Sequence, residues 1–292
     1  MSEATQAQLI DGKLIAAAVR AELASLAEAL RDAGRTPQLD AVLVQGNSAG
    51  DVYARNQART CETLGIQYNL FVLPEDSPQS VVLDQVSALN ADDGCTGIMV
   101  HLPLPDAVCM ETVQAHIAVH KDVEGVNPAN IGGVIYGQRT LVPCTAAAAM
   151  HMIESTGIDL AGAEAVVVGS SGIVGKPVAV LLMQAQATVT STNIHTADLM
   201  EHCARADIIV AAAGVPGLIT AQHVKPGAVV VDVGINRVKD ASTGKMRTIG
   251  DVDYDAVRAV AGYLSPVPGG VGPVTVAMLL RNTVKAAKRA ID

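Results

Sequence analysis

The chain has no tryptophan and a single phenylalanine, and aromatic residues make up only 2% of its 292 positions. Nucleic-acid modules that stack bases need exposed aromatic platforms, so no nucleic-acid partner is expected. Positive charge is short as well: 20 Lys and Arg stand against 29 Asp and Glu, a net charge of −9. That sign gives no general hold on a phosphate backbone, and any anionic ligand must be met by local donors. Cysteine is sparse and unpaired in pattern. Cys61, Cys95, Cys109, Cys144 and Cys203 are odd in number and lack CxxC spacing, so neither a disulfide framework nor a metal site is expected, and reduced thiols in a cytoplasmic protein are. No uncharged apolar run reaches the ~18 to 20 residues of a membrane span. The first residues carry Glu and Asp where a signal peptide has a basic start, so a soluble protein without a membrane partner is expected.

What is present is an alternation of apolar runs and amphipathic stretches in a chain half hydrophobic, an α/β pattern. Leu14 to Ala33, 51 to 64 and 77 to 89 read as helices; Leu39 to Val44, Tyr68 to Val72 and Gly97 to Val100 read as strands. Residues 127 to 147, rich in Gly and Pro, lack helical periodicity and end the first domain. Beyond them, 187 to 191 reads as a strand, and strands at 165 to 168, 208 to 212 and 228 to 233 are apolar on every or nearly every residue, as in a parallel sheet covered on both faces. A last helix is read from 274 to 290. Two α/β domains follow: residues 1 to 147 with 274 to 292 packing back on them, and a doubly wound domain over 148 to 273.

Gly169-Ser170-Ser171-Gly172-Ile173-Val174-Gly175 stands between the strand AVVV and an apolar helix. Glycines there permit a tight turn, and N–H groups at the helix start can face a pyrophosphate. The match to GxGxxG is incomplete, and a turn that binds nothing has the same outline. Adenosine-ribose preference is read after the next strand, where an acid favours NAD and an arginine NADP. Asn193 and Ile194 are neither, and no Arg lies there or in the loop, although Lys176 or His195 could offer a weaker contact. The reading leans to NAD.

Elsewhere, Tyr53 and Gln57 fall four apart on one helix face, a spacing more often a plain polar patch. His101 ends the strand GIMV at the carboxyl edge of a parallel sheet, where ligands collect. Asp122 and Glu124 in HKDVEGVNP read as solvated acids of a loop. PVPGGVGPVT at 266 to 275 is a stiff backbone that side chains do not fill, suited to a sharp turn or a flat ligand.

Together these strings resemble one family along nearly the whole chain, the bacterial methylenetetrahydrofolate dehydrogenase/cyclohydrolases. The matches are IDGK at 10 to 13, YARN at 53 to 56, GIMVHLPLP at 97 to 105, KDVEGVNPANIG at 121 to 132, VPCT at 142 to 145, the glycine loop, VKPGAVVVDVGINR at 224 to 237, GDVD and SPVPGGVGPVT. The resemblance implies a folate-binding catalytic domain, a Rossmann domain for NAD or NADP, tetrahydrofolate as substrate and a homodimer. It places Tyr53, Val100, Leu102, Glu124, Pro268, Gly269 and Gly270 around the pterin. Cys144, Thr145, Ile235 and Thr275 would lie near the nicotinamide end, with Gly169 to Gly175, Asn193 and Ile194 along the rest of the dinucleotide.

The departures from the family sit at the chemistry. Gln57 stands where the family has the lysine of YxxxK, His101 where it has glutamine, and Glu124 where it has aspartate. Moving a hydride from the methylene carbon asks for positioning near 3 to 3.5 Å, roughly, and for tolerance of positive charge. Ring opening by water asks for a titratable group, which a carboxamide is not. The expectation is a dehydrogenase with Tyr53, Gln57, His101 and Glu124 at its centre and a weak or lost cyclohydrolase step. Two alternatives are retention of both steps with His101 as acid/base, and a folate-binding paralogue with another substrate or no catalysis.

Overall fold

The computed structural model describes residues 6–46, 48–239 and 244–289. In chain order the elements are β1 (Gln8–Leu9), α1 (Gly12–Asp32), β2 (Gln38–Val44), α2 (Ser48–Leu64), β3 (Gln67–Leu73), α3 (Gln79–Ala91), β4 (Gly97–Val100), α4 (Met110–His116), α5 (Pro128–Ile135) and α6 (Cys144–Glu154). Then come β5 (Glu164–Val168), α7 (Gly175–Gln184), β6 (Thr188–Thr192), α8 (Leu199–Ala204), β7 (Ile208–Ala211), β8 (Val229–Asp232), β9 (Asn236–Lys239), β10 (Met246–Ile249), α9 (Tyr254–Arg258), β11 (Tyr263–Leu264) and α10 (Val271–Arg289). The chain divides into two compact units, one of residues 17–144 and 276–292, the other of 1–16 and 145–275.

The first unit is built on a parallel sheet in the order β3-β2-β4. The central strand β2 is buried at all but its first residue, which is why it is apolar from Leu39 to Val44 except at Asp40. Val42, Val86, Ile98 and Val113 form its core with their neighbours. Lys121 closes α3: its ammonium donates to the carbonyls of Leu89, Asn90 and Asp92 at 3.0, 2.9 and 2.7 Å, the end of a helix where cations are favoured. Asn282 of α10 donates to the carbonyls of Val123 and Val142 at 2.8 and 3.1 Å, tying the last helix to the segment that carries Glu124.

The second unit holds a sheet in the order β1-β11-β8-β7-β5-β6, parallel at every pairing, around a core that includes Val166, Ile209, Val230 and Leu264. A two-stranded antiparallel ribbon, β9 with β10, stands beside it in the chain.

Three readings of the sequence are corrected here. Residues 6 to 16 do not go with the first unit, because Gln8 and Leu9 pair with Tyr263 and Leu264 as the edge of the large sheet; a two-residue strand has no periodicity to read. The stretch after 127 contains a helix, α5. Asn127 caps it by accepting the Ala129 N–H at 2.8 Å, and Pro128 opens it, the usual start chemistry that two interior glycines mask. Asp122 is fully buried rather than solvated. Among the described residues no helix is long and apolar enough to cross a membrane, and no group of three or more His, Cys, Asp or Glu could hold a metal.

Candidate active site

In the first unit, α2 presents Tyr53 and Gln57 toward residues at the carboxyl end of β4. Side chains two apart on an extended strand share a face, and Met99 and His101 are such a pair. Gln57 is 2% exposed and donates from Nε2 to the Met99 thioether at 3.2 Å, while its Oε1 is buried with no hydrogen-bond partner. The His101 ring meets the Tyr53 ring edge-on, centroids 5.7 Å apart at 81°, and its Nε2 lies 3.4 Å from the Tyr68 hydroxyl. Tyr53 keeps 40% of its surface open, the area a flat ligand could cover. Val100 is buried and Leu102 half exposed beside them.

Glu124 follows from the way its loop is held. Asp122, two residues earlier, accepts N–H bonds from Val126 and Asn127 at 3.2 and 2.7 Å and from the Asn130 amide at 2.8 Å. This folds KDVEGVNPAN around one carboxylate. Gly125 is required there: its φ is +72°, and a Cβ would fall 2.4 Å from the Val142 carbonyl carbon. Burial and then the charge on Asp122 push the Glu124 carboxyl up to about 7, against a hydrogen bond from the Val100 backbone. Burial, Glu124 and Cys144 in that order push the Tyr53 phenol up to about 12. Burial alone lowers the His101 imidazole below its usual range, so it stays neutral at pH 7. The site thus holds one carboxyl able to gain or lose a proton near neutrality and one neutral imidazole.

Cys144 is wired inward. Its thiol donates to the Val123 carbonyl at 3.2 Å and accepts from Asn282 Nδ2 at 3.5 Å, and burial pushes its pKa well up. Its side chain is thereby committed to the fold.

In the second unit the loop from Gly169 to Gly175 leads from β5 into α7. Gly169 has φ +104°, and a Cβ there would lie 2.2 Å from the Ala212 carbonyl oxygen; at Gly175 it would lie 1.9 Å from that of Gly169. A Cβ on Gly172 would meet nothing within 4 Å, so the middle of the loop is clear backbone, the cradle a pyrophosphate needs. Ser170, Ile173 and Val174 are partly buried and Ser171 exposed, its Oγ accepting the Gly175 N–H at 3.3 Å. Beyond β6, Asn193 turns on itself, accepting the His195 N–H at 2.9 Å, and Ile194 is 94% exposed. Ile235 is exposed after β8, and Thr145 and Thr275 are partly buried. Pro268 is exposed and Gly269 has φ +105°. Gly270 packs so closely on Gly12 that a Cβ on Gly12 would overlap the Gly270 carbonyl, which accounts for the glycine of IDGK, and a Cβ on Gly270 would lie 2.4 Å from the Pro266 carbonyl oxygen.

Sequence reasoning missed Tyr68 and Met99, which touch His101 and Gln57: Tyr68 belongs to no motif, and Met99 sits inside GIMVHLPLP as an apparent core residue. The buried role of Asp122 had a signal in the Asn-Pro pair five residues on.

Two family models match the chain: the catalytic domain of tetrahydrofolate dehydrogenase/cyclohydrolase over residues 10–124, and its NAD(P)-binding domain over 143–291. The protein named bifunctional protein FolD of Moorella thermoacetica is 47% identical over 283 residues, 97% of this chain and 99% of the relative. That of Azoarcus sp. is 48% identical over 285 residues, 97% of each. Among solved structures, bifunctional FolD of Campylobacter jejuni aligns with TM-score 0.92 at 41% identity, covering 97% of this chain and 99% of that one. FolD of Trypanosoma brucei, solved with NADP and an inhibitor, aligns with TM-score 0.92 at 37% identity over 98% and 99%.

Proposed function

The chain belongs to the tetrahydrofolate dehydrogenase/cyclohydrolase family, and we propose that it oxidises 5,10-methylenetetrahydrofolate efficiently while hydrolysing the methenyl product slowly. The first unit would take the pterin against the open face of Tyr53. The clear backbone of the glycine loop would hold the coenzyme pyrophosphate, and the nicotinamide, when bound, supplies the hydride acceptor. Glu124 as a carboxylate would offset the positive charge that grows on the methenyl carbon. Gln57 would serve as a positioning donor to the folate once its amide leaves the Met99 thioether.

The observation that carries the weak second step is the state of Gln57. Its amide rests on a thioether with the oxygen unpartnered, and an amide neither takes a proton from water nor returns one to the ring nitrogen. The experiment is decay of methenyltetrahydrofolate absorbance with purified protein. Wild type should exceed buffer only slightly, and Gln57→Lys should gain ~10²- to 10⁴-fold, the worth of a general base. Fast wild-type decay that Gln57→Lys leaves unchanged would overturn this.

A second reading has support of its own. Glu124, pushed up to about 7, and His101, kept neutral, are both fit for proton transfer at neutral pH, and the relatives are named bifunctional. Under it, wild-type decay is fast and collapses in His101→Ala or Glu124→Gln. For the coenzyme we propose NAD over NADP, since no arginine stands in the glycine loop or at Asn193 and Ile194; reduction of each under saturating folate decides. The assembly proposed is a cytoplasmic homodimer.

A further inference from the structure

Two buried aspartates take part in nothing described so far. Asp232, the last residue of β8, is 3% exposed, and Asp251, just past β10, is 0% exposed. Asp251 accepts the N–H groups of Ala213 and Gly214 on Oδ2, at 2.7 and 2.8 Å, and the Asn236 amide on Oδ1 at 2.8 Å. Asp232 accepts the N–H groups of Gly234 and Asp251 on Oδ1, at 2.9 and 3.0 Å, and that of Val252 on Oδ2 at 3.0 Å. Its own N–H donates to Ser265 Oγ at 2.8 Å. One carboxylate therefore seats the other, and the second fastens the segment after β7 to the segment after β8.

The fit is close enough to dictate two glycines. A Cβ on Gly234 would lie 2.1 Å from Asp251 Oδ1, and one on Gly250 would lie 1.8 Å from Asp232 Oδ2. Residues 232, 234 and 236 thus all turn toward the carboxylates. Ile235, between two fastened neighbours, is 69% exposed.

Buried carboxylates are costly to desolvate, and here burial outweighs three N–H donors and pushes Asp232 up to about 6. What that cost secures is the carboxyl edge of β7 and β8. In a doubly wound sheet, ligands bind at that edge. The strand with the glycine loop takes the pyrophosphate, and a dinucleotide spreads to both sides of it. The sheet order runs β8-β7-β5-β6, so β6 serves the adenosine side and β7 and β8 the other.

We propose that Asp251, seated by Asp232, is a positioning residue for the nicotinamide half of the coenzyme, holding Ile235 and the turn at Ala213 and Gly214 preformed before it binds. The proposal rests on the second unit being the coenzyme-binding one. A loop already ordered adds no ordering cost to binding, so loosening it weakens coenzyme affinity and leaves folate affinity alone.

The test is titration of NADH and NADPH fluorescence, with steady-state kinetics, on wild type, Asp251→Asn and Asn236→Ala. Asp251→Asn leaves one acceptor oxygen where two carboxylate oxygens serve three donors, and removes the charge; Asn236→Ala removes one strap and spares the buried carboxylate. Expected are a tenfold or greater rise in coenzyme Kd and KM for Asp251→Asn, a two- to fivefold rise for Asn236→Ala, and a folate KM within twofold of wild type in both. A purely structural role would lower thermal stability without that split. If both variants bind the coenzyme as wild type does, the proposal is overturned; if Asp251→Asn fails to fold, unchanged binding by Asn236→Ala overturns it alone. Failure of wild type to bind either coenzyme would instead overturn the reading beneath it.

Discussion

Glu124 is the residue where charge and environment are most at odds. An ordinary glutamate near 4.5 has been pushed up to about 7 by burial and by Asp122. Between those values the unfolded chain has released this proton and the folded chain retains it, so fewer protons are bound on unfolding and stability falls as pH rises through the window. Glu124→Gln removes that dependence. The difference in melting temperature, variant minus wild type, should be near its floor at pH 4, widen between pH 5 and 7, and level off above pH 8. The stability difference behind it should reach on the order of 3 kcal/mol, and a melting-temperature difference flat across pH would contradict the shift. The sequence displays two acids two residues apart, and nothing local distinguishes them. Glu124 is desolvated beside Asp122, and Asp122 is the hub of a turn on which Asn127 and Asn130 close where Pro128 starts a helix.

At the scale of elements, α10 and the Glu124 segment depend on a single side chain. Asn282 supplies donors to the carbonyls of Val123 and Val142 and a contact to the Cys144 sulfur. Asn282→Ala strands the buried Val142 carbonyl, worth ~1 to 3 kcal/mol when left unmade, and leaves that of Val123 to the Cys144 thiol alone. Denaturant unfolding should register a loss of that order, and KM for methylenetetrahydrofolate should rise because Glu124 adjoins the freed strand. An unchanged midpoint would mean that water replaces the amide. The long elements were legible: α1, β2, β4, β5 and α7 lie within a few residues of where periodicity puts them. Short ones were not. β1 and β11 have two residues each, and α4, α5 and α8 have no more than eight, too few turns to establish a period.

For the whole molecule, coenzyme binding should raise the melting temperature, since a ligand that binds only the folded chain at a hundred times its Kd adds about 2.7 kcal/mol. The larger rise should come from NADH rather than NADPH; the reverse order would argue for a phosphate contact that Asn193 and Ile194 do not suggest. Sedimentation should give twice the 30.0 kDa chain mass, and a concentration-independent single-chain mass would rule out the dimer. By itself the sequence determined the α/β class, the glycine-rich turn and the kinship of the chain, because these reside in runs of neighbouring residues whose spacing the backbone obeys directly. Only the tertiary structure decided that β1 edges the large sheet, that Asp122 is buried, that Gln57 has an orphaned oxygen, and that Asp232 and Asp251 fasten two loops. Each of these depends on atoms far apart in the chain coming within ~3 Å with water shut out, and solvent exclusion is a property of the packed molecule that no local pattern encodes.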